Sequence, residues 1–204
     1  MKFGILDLSS LIYPWWHRLD SELDSAGNGI HAVLRLLGYI HDLRGDHTHL
    51  VACVDRGHHH RNAIFPEYKA GREPPDPDLI RQLRLAERLC EALSVPVVQK
   101  AAYEGDDCIA SLTRRLEERG KVQQIVIHSA DGDLAQLVSD RTVMFTRRKG
   151  FYAVDDLIRD LGIYPTQVVC WKSLRGDPSD HVPGVPKCGP KLATALIQQY
   201  FDLD

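Results

Sequence analysis

The sequence lacks a membrane-spanning segment and a secretory leader. No apolar run approaches the ~20 residues that a membrane helix needs, and the start, MKFGILDLSS, has neither a basic region nor a small-residue cleavage site. These absences predict a chain with no membrane partner, and the expected location is the cytoplasm. With 204 residues, 44% of them hydrophobic, the chain can bury one sizeable core and a small second unit.

Cysteine is scarce and follows no pattern. The five cysteines are an odd number, widely spaced, with no C-x-x-C pair, so we expect reduced thiols and no disulfide framework. The triplet His58–His60 lies near Cys53, but adjacent histidines rarely point at one ion and no second ligand pair has the spacing of a zinc site. We therefore do not expect bound zinc.

An excess of positive charge, common in nucleic-acid-binding proteins, is also missing. Lysine and arginine number 25 against 28 aspartates and glutamates, a formal net charge of −3. This total does not exclude such a partner, because a metal site concentrates acids and local clusters of charge decide what a surface binds.

Short apolar strands alternate with amphipathic helices through most of the chain. This alternation predicts an α/β fold with a mainly parallel sheet and helices on both faces. The predicted strands begin near Phe3, His49, Val95, Gln124 and Val143, and the predicted helices cover 30–43, 77–93 and 106–120. In such sheets the ligand crevice lies beyond the carboxyl ends of the strands, where Asp7, Asp55 and Asp131 fall.

The C-terminal part has a different pattern. A helical segment from Thr166 to Leu174 leads into a glycine- and proline-rich loop, Gly176 to Pro190, and a second helix follows from Lys191 to Tyr200. Pro190 suits the first position of that helix. We expect a core over 1–165 and a second unit over 166–204 that completes the active site.

Nine acidic residues fall at strand ends or in loops, and together they indicate a metal site. They are Asp7, Asp55, Glu104, Asp106, Asp107, Asp131, Asp133, Asp177 and Asp180. Each one alone is more often a turn or capping residue than a catalytic one. Their joint placement favours Mg²⁺ or Mn²⁺, which prefer hard oxygen ligands. Two such ions ~4 Å apart can activate a water and stabilise both oxygens that exchange at a phosphodiester.

Three segments carry long motifs in a fixed order. YEGDDCIA from Tyr103 is close to Y-E-A-D-D-x-I-A, and SADGDLAQL from Ser129 is close to S-x-D-x-D-x-x-Q-L. GDPSDHVPGVPKCGPK from Gly176 is close to G-D-x-S-D-N-I-P-G-V-x-G-I-G-x-K. With these motifs the chain resembles, from Asp7 to about Tyr200, the 5′-nucleases found beside or within bacterial polymerase I, in phages and as flap endonucleases.

This resemblance implies a PIN-like nuclease core, a helical arch around 61–93 and a helix-three-turn-helix module. It implies an intracellular, bacterial or phage-encoded enzyme that cuts DNA by a two-metal mechanism, as a 5′-3′ exonuclease, a flap endonuclease or both. It places one metal among Asp7, Asp55, Glu104 and Asp106. The second metal would be held by the other five acids: Asp107, Asp131, Asp133, Asp177 and Asp180.

The resemblance also implies residues that handle DNA. The segment FPEYKAGR from Phe65 is similar to Y-K-x-x-R at the base of the arch, so Lys69 and Arg72 would hold the scissile phosphate and Tyr68 would stack on an unpaired base. Arg61 fits a basic position just upstream. The alternative for this segment is a solvated charged loop.

In the loop after Gly176, free N–H groups and a helix start would grip duplex DNA through its backbone, so binding should follow DNA shape rather than sequence. The same loop would hold a K⁺ ion on carbonyl oxygens. The residues expected to touch DNA there are Gly184, Val185, Lys187, Gly189 and Lys191.

The chain departs from the family pattern in a few places. Gly105 stands where alanine is usual, His181 where asparagine is usual, and Lys187–Cys188 where glycine–isoleucine is usual. The sequence also ends soon after its last helix, where longer relatives continue. We expect lost duplex contacts to weaken affinity or to blur the choice of substrate.

Two other functions remain as alternatives. One is a structure-specific DNA-binding module without catalysis, which the complete set of acids disfavours. The other is a PIN-type ribonuclease, in which the loop after Gly176 has no obvious purpose. The sequence leaves open whether exonuclease or flap cutting dominates, whether RNA-primed DNA is a substrate and whether a DNA polymerase is a partner; we expect a monomer.

Overall fold

The apolar runs form one six-stranded sheet in the structure, a computed structural model that describes residues 1–18 and 22–201. Its strands are β1 (Lys2–Asp7), β2 (His49–Cys53), β3 (Val97–Val98), β4 (Gln124–His128), β5 (Thr142–Thr146) and β6 (Gly150–Tyr152). They lie in the order β3-β2-β1-β4-β5-β6, and all neighbours are parallel except the antiparallel pair β5 and β6. The predicted mainly parallel sheet is confirmed.

The helices in the described residues lie between and after these strands. They are α1 (Leu8–Trp16), α2 (His31–Asp46), α3 (His59–Ile64), α4 (Pro77–Ala92), α5 (Gly105–Glu118), α6 (Val154–Leu161), α7 (Val168–Arg175) and α8 (Pro190–Tyr200). Short 3₁₀ helices cover Gly132–Leu137, Pro165–Gln167 and Pro178–Asp180. Pro190 is the first residue of α8, and the last residues of the expected second unit, 202–204, lie outside the described residues.

Successive side chains of the central strands bury on opposite faces of the sheet. Ile5 and Ile127 pack into a cluster with residues of α5, α7 and α8, whereas Leu6 and Ala52 pack with α1, α2 and α4. A fully buried isoleucine contributes about 1.5–3 kcal/mol relative to an exposed one. These two apolar layers, and not the acidic edge of the sheet, therefore hold the fold together.

Part of the region expected to form the helical arch packs in the core. We expected a helical arch around 61–93, but α4 buries Leu79, Ala86 and Cys90 in the layer with α1 and α2. The reason is that its apolar residues recur on one face and find two partner helices there. Within this region, the side chains that contact the nine acids come from the part between α3 and Arg72, and an arch around 61–93 stays a prediction.

Within the described residues, no helix is long and apolar enough to cross a membrane. All five cysteines lie in that part of the chain and none is paired in a disulfide.

Candidate active site

The acids lie close together at the point where the order of strand addition reverses. The chain runs from β1 outward to β2 and β3, then returns to add β4 on the other side of β1, and a crevice opens beyond the carboxyl ends of such adjacent strands. Asp7 ends β1 and caps α1, its Oδ1 accepting from the Ser10 N–H at 3.1 Å. Asp131 follows β4 and caps the 3₁₀ helix, accepting from the Asp133 N–H at 2.8 Å. Each of these two acids therefore both caps a helix and belongs to the candidate site.

Asp55 follows β2 and reaches the start of α5. Its Oδ1 accepts from the Gly105 N–H at 2.6 Å, and the Ser9 hydroxyl contacts its Oδ2. A Cβ on Gly105 would lie only 3.2 Å from Asp55 Oδ1, so the glycine leaves room for this carboxylate. The start of α5 thereby sets Asp55 beside Asp106, the second residue of the helix.

Four carboxylates of this group form no ion pair with a basic side chain. In the described part of the chain, no lysine, arginine or histidine forms an ion pair with Asp7, Asp55, Asp106 or Asp131. Burial raises the pKa of Asp7 to about 6. Burial also raises the pKa of Asp106 to about 8, and the neighbouring charges of Asp7, Asp131 and Asp55 add to that rise. A cation in the crevice would relieve this repulsion.

The other five acids, in contrast, each contact a basic side chain. Lys172 of α7 lies between Asp133 and Asp177, with its Nζ 2.6 Å from Asp177 Oδ2. Burial alone would raise the pKa of Asp177, but the bonds from Lys172 and Ser179 lower it to about 2. Lys172 was not among the predicted site residues.

The segment before Arg72 folds down onto the acids. Lys69 contacts Glu104, and its backbone N–H donates to the Asp180 carbonyl at 3.0 Å. Arg72 donates to Asp180 Oδ1 at 2.5 Å and to the Ser179 carbonyl at 3.2 Å. These bonds join the arch region to the turn that precedes the Pro-Gly part of the C-terminal loop, and they disfavour the alternative of a solvated loop.

Tyr68 differs from its predicted place. Its side chain is buried, and its hydroxyl lies 2.8 Å from Glu104 Oε2 and 2.9 Å from Asp180 Oδ2. Burial, together with both carboxylates, raises the pKa of this hydroxyl. We expected Tyr68 to stack on an unpaired base, but the two carboxylates draw its hydroxyl inward, so the ring is not exposed for stacking in this structure.

Asp107 is set apart from the other acids. Its carboxylate accepts from the Glu104 N–H at 2.9 Å, completing a capping box at the start of α5, and both of its oxygens accept from Arg61. Burial would raise the pKa of Asp107, but the bond from Arg61 lowers it. Arg61 also lies 2.9 Å from Glu104 Oε2. In this structure Asp107 therefore has an arginine partner, and its expected place at a metal stays a prediction.

The open part of the site is a cleft of about 490 Å³. Acids and bases from both units line it, among them Lys69, Arg72, Asp106, Asp131 and Asp177. In the described residues, no three acidic, histidine or cysteine side chains form a ready-made metal cage. Mg²⁺ keeps several waters and usually binds through one or two carboxylates, so an acid-lined cleft with unpaired carboxylates fits it.

The glycines of the C-terminal loop differ in how closely other atoms pack against them. A Cβ on Gly184 would overlap the carbonyl of Arg175, and one on Gly176 would overlap the backbone of Gly184, so packing within the loop itself explains these two glycines. Gly189 has an ordinary φ of −77° and open space around its Cα. Val185, Lys187 and Lys191 are exposed on the same part of the chain, where a partner can reach them.

The shifted carboxylates predict an unusual dependence of stability on pH when no divalent ion is present. A carboxyl whose pKa is raised by folding binds its proton more tightly in the folded state, so the free energy of unfolding falls as pH rises. For Asp106 this window extends from 3.8 to about 8. Folding lowers the pKa of Asp177, so its contribution has the opposite sign. The free energy of unfolding that it adds is lost as pH falls below its ordinary pKa toward about 2.

We therefore expect the urea midpoint in EDTA to be lower at pH 8 than at pH 5.5, with the chain still folded at both. Asp106→Asn should remove most of this slope, and excess Mg²⁺ should raise the midpoint at pH 8 by binding the folded state. A urea midpoint that rises from pH 5.5 to pH 8 in EDTA would contradict the claim that folding raises the pKa values of these carboxylates.

Comparison with known proteins identifies the family. The model of the 5′-3′ exonuclease N-terminal resolvase-like domain matches residues 2–162, and that of the 5′-3′ exonuclease C-terminal SAM fold matches residues 163–204. The DNA polymerase I of Bacillus subtilis is 31% identical over 211 residues, covering 100% of this chain and 24% of that protein. The 5′-3′ exonuclease of the same organism is 34% identical over 163 residues, covering 77% of this chain and 54% of that protein.

A solved structure has the same fold. The T5 5′-exonuclease with bound zinc superposes with a TM-score of 0.83 at 20% identity, over 99% of this chain and 76% of that one. The chain spans about a quarter of the polymerase relative and about half of the exonuclease relative. On the match of both family models, which together run from residue 2 to residue 204, the chain belongs to the 5′-3′ exonuclease family.

Proposed function

We propose that this chain is a metal-dependent 5′-nuclease that hydrolyses phosphodiesters of DNA at or near a 5′ end. The observation that carries the proposal is the set of four carboxylates without an ion-pair partner, two of which, Asp106 and Asp131, line the same cleft as Lys69 and Arg72. The acids of this cleft can bind cations, and Lys69 and Arg72 can bind an anion next to those cations. A phosphodiester is a substrate that would use both.

The residues have separate parts in the proposed reaction. Asp7, Asp55, Asp106 and Asp131 would hold divalent ions, with Glu104, Asp133, Asp177 and Asp180 around them. The ions would supply an activated water and positive charge for the oxygens that exchange at phosphorus. Lys69 and Arg72 would hold the scissile phosphate as its charge develops. Departure of the 3′ oxygen would leave a 5′-phosphate on the product.

This function requires Lys69 and Arg72 to exchange partners. Both now contact acids, Glu104 and Asp180, which belong to the expected ligand set. Cations at those acids would repel the two basic groups, and a phosphate would attract them to the same side of the cleft. Because Glu104 also accepts from Tyr68, it keeps one partner when Lys69 leaves.

The exposed end of the C-terminal loop is the proposed duplex grip. Gly189 caps α8 and has room for a phosphate, and Lys191 stands in the first turn of that helix. Backbone N–H groups at a helix start favour an anion. As part of the same proposal, a K⁺ ion lies on carbonyl oxygens of this loop, which would make duplex affinity higher in K⁺ than in an equal concentration of Li⁺.

The identity of the metal, the partner and the assembly are further parts of the proposal. Hard carboxylate oxygens favour Mg²⁺ or Mn²⁺ over softer ions. The polymerase relative suggests work beside a DNA polymerase, on DNA with flaps, nicks or RNA primers at its 5′ end. We expect a monomer, which light scattering of the free protein tests.

The test of the function uses three substrates that share one labelled strand: a 5′ flap, a nicked duplex and a blunt duplex, each with DNA and with an RNA primer at the 5′ end. We expect Mg²⁺-dependent products that a ligase can join, because they carry 5′-phosphates. Binding of all substrates without cleavage would favour the DNA-binding module, and cleavage of RNA alone would favour the ribonuclease.

Lys191→Ala should weaken duplex binding while leaving the chemical step largely intact. Removing one phosphate contact should reduce the slope of log affinity against log salt by about one, and cleavage under single-turnover conditions at saturating protein should stay near that of the parent. Lys121→Ala is the matched control, because Lys121 is also exposed but precedes β4, at the other end of the sheet. Equal salt slopes for parent and Lys191→Ala would exclude this contact.

A further inference from the structure

Two serines tie the carboxylate of Asp7 to the loop that carries Asp131. The Ser129 hydroxyl donates to Asp7 Oδ2 at 2.6 Å and accepts from the Asp131 N–H at 3.0 Å. The Ser10 N–H donates to Asp7 Oδ1 at 3.1 Å, and the Ser10 hydroxyl accepts from the Ala130 N–H at 2.8 Å. These four hydrogen bonds form a closed ring between the end of β1, the start of α1 and the end of β4.

The ring leaves Asp7 little freedom. Each carboxylate oxygen already accepts one hydrogen bond, so the carboxylate cannot rotate without breaking a bond on one side. Asp7 is 5% exposed and Ser129 is 1% exposed, and a broken bond inside the protein is not replaced by water. The ring therefore fixes both the direction of Asp7 and its distance from the Asp131 backbone.

Ser129 is the member of the ring that reaches both acids. Ser10 contacts Asp7 through its backbone, which any residue provides, whereas Ser129 uses one hydroxyl as donor to the β1 acid and as acceptor from the β4 loop. Alanine at 129 would lose both bonds and leave Asp7 Oδ2 without a partner. Among metal sites in general, groups that orient ligands in this way contribute about 10- to 100-fold in affinity or activity.

We propose that Ser129 is a positioning residue for the divalent-ion site, holding Asp7 and Asp131 in a fixed relation before any ion binds. This inference rests on the proposed function in one respect, that Asp7 and Asp131 bind the ion. It predicts that Ser129 acts on ion affinity first and on cleavage only through it. Duplex binding without metal should not depend on Ser129.

The test is calorimetric titration of the whole chain with Mn²⁺ alone, without DNA, so that it does not depend on nuclease activity. We expect Ser129→Ala to raise the Mn²⁺ dissociation constant by about 10- to 100-fold, and Ser129→Thr, which keeps the hydroxyl, to recover most of the loss. In cleavage assays the Ser129→Ala defect should shrink as Mn²⁺ is raised.

Ser139→Ala is the matched control. Ser139 is half-buried in the turn before β5, donates to Glu117 Oε1 at 2.5 Å and accepts from the Arg141 and Thr142 N–H groups, but it touches none of the proposed ligands. Its loss should lower the urea midpoint without changing the Mn²⁺ constant. If Ser129→Ala does not fold, Ser10→Ala, which removes the bond to Ala130, should weaken Mn²⁺ binding in the same direction.

Mn²⁺ binding by folded Ser129→Ala within threefold of the parent would overturn the positioning role, as would equal weakening by Ser139→Ala. Failure of the parent to cleave DNA while its Mn²⁺ binding responds to Ser129→Ala would count against the proposed function and leave this inference standing.

Discussion

Lys69→Ala is expected to lose about 10²–10³-fold in single-turnover cleavage, the usual cost of removing one positioned group that stabilises charge in the transition state. Duplex affinity should fall much less, because many contacts share the binding energy while a single cation acts on the reacting phosphate. The measurement is a pair of experiments on one flap substrate: single-turnover rates at saturating protein, and affinity in Ca²⁺.

The structure supports the expected difference between the loss of rate and the loss of affinity. Lys69 lies 14% exposed at its side chain, in contact with Glu104, so it is not a mobile surface lysine. Lys121→Ala removes an exposed lysine at the far end of the sheet and should leave both rate and affinity unchanged. Equal losses of rate and affinity in Lys69→Ala would instead make Lys69 an ordinary phosphate contact.

Asp177→Asn is expected to cut flap DNA about 10²-fold more slowly, a loss of about 3 kcal/mol in transition-state stabilisation. Asparagine keeps the shape of the side chain but removes the charge that faces Lys172 and, in the proposed site, an ion. Flap binding should be kept or become slightly tighter, because one negative charge near the phosphates is gone.

The control for Asp177→Asn is Asp140→Asn, at an exposed aspartate in the turn before β5. It should change neither quantity. Normal cleavage by Asp177→Asn would contradict the placement of the second metal at Asp177 and leave Asp177 as a partner of Lys172 only.

Much of the sheet followed from the sequence because its signals are local. β1 and β4 are apolar runs closed by acids, and the start of α8 is given by Pro190. The sequence pattern does not predict the helix α1, because its first turn contains Ser9 and Ser10 and its interior contains Pro14, all of which are typical of loops. Its N-cap is Asp7, which also ends β1.

The contacts of the site residues that the sequence does not predict depend on distant partners. Asp106 and Asp107 are neighbours in the chain and were assigned similar roles, but successive helical residues point about 100° apart, so only Asp106 faces the other unpaired carboxylates. Lys172 looked like one charge on a short helix, since its partner Asp133 is 39 residues away. The burial of Tyr68 could not be predicted, because nothing local in the sequence shows that Glu104 and Asp180 meet at its hydroxyl.

The most direct test of the central claim, that these carboxylates bind the ions that cut DNA, is single-turnover cleavage of a 5′-labelled flap by the parent and Asp106→Asn, first in EDTA and then after addition of Mg²⁺. The parent should be inactive in EDTA, remain folded by circular dichroism, and recover full activity with Mg²⁺. Asp106→Asn should stay folded, bind the flap and remain nearly inactive at the same Mg²⁺ concentration. Cleavage by the parent in EDTA, or normal cleavage by Asp106→Asn, would contradict the account.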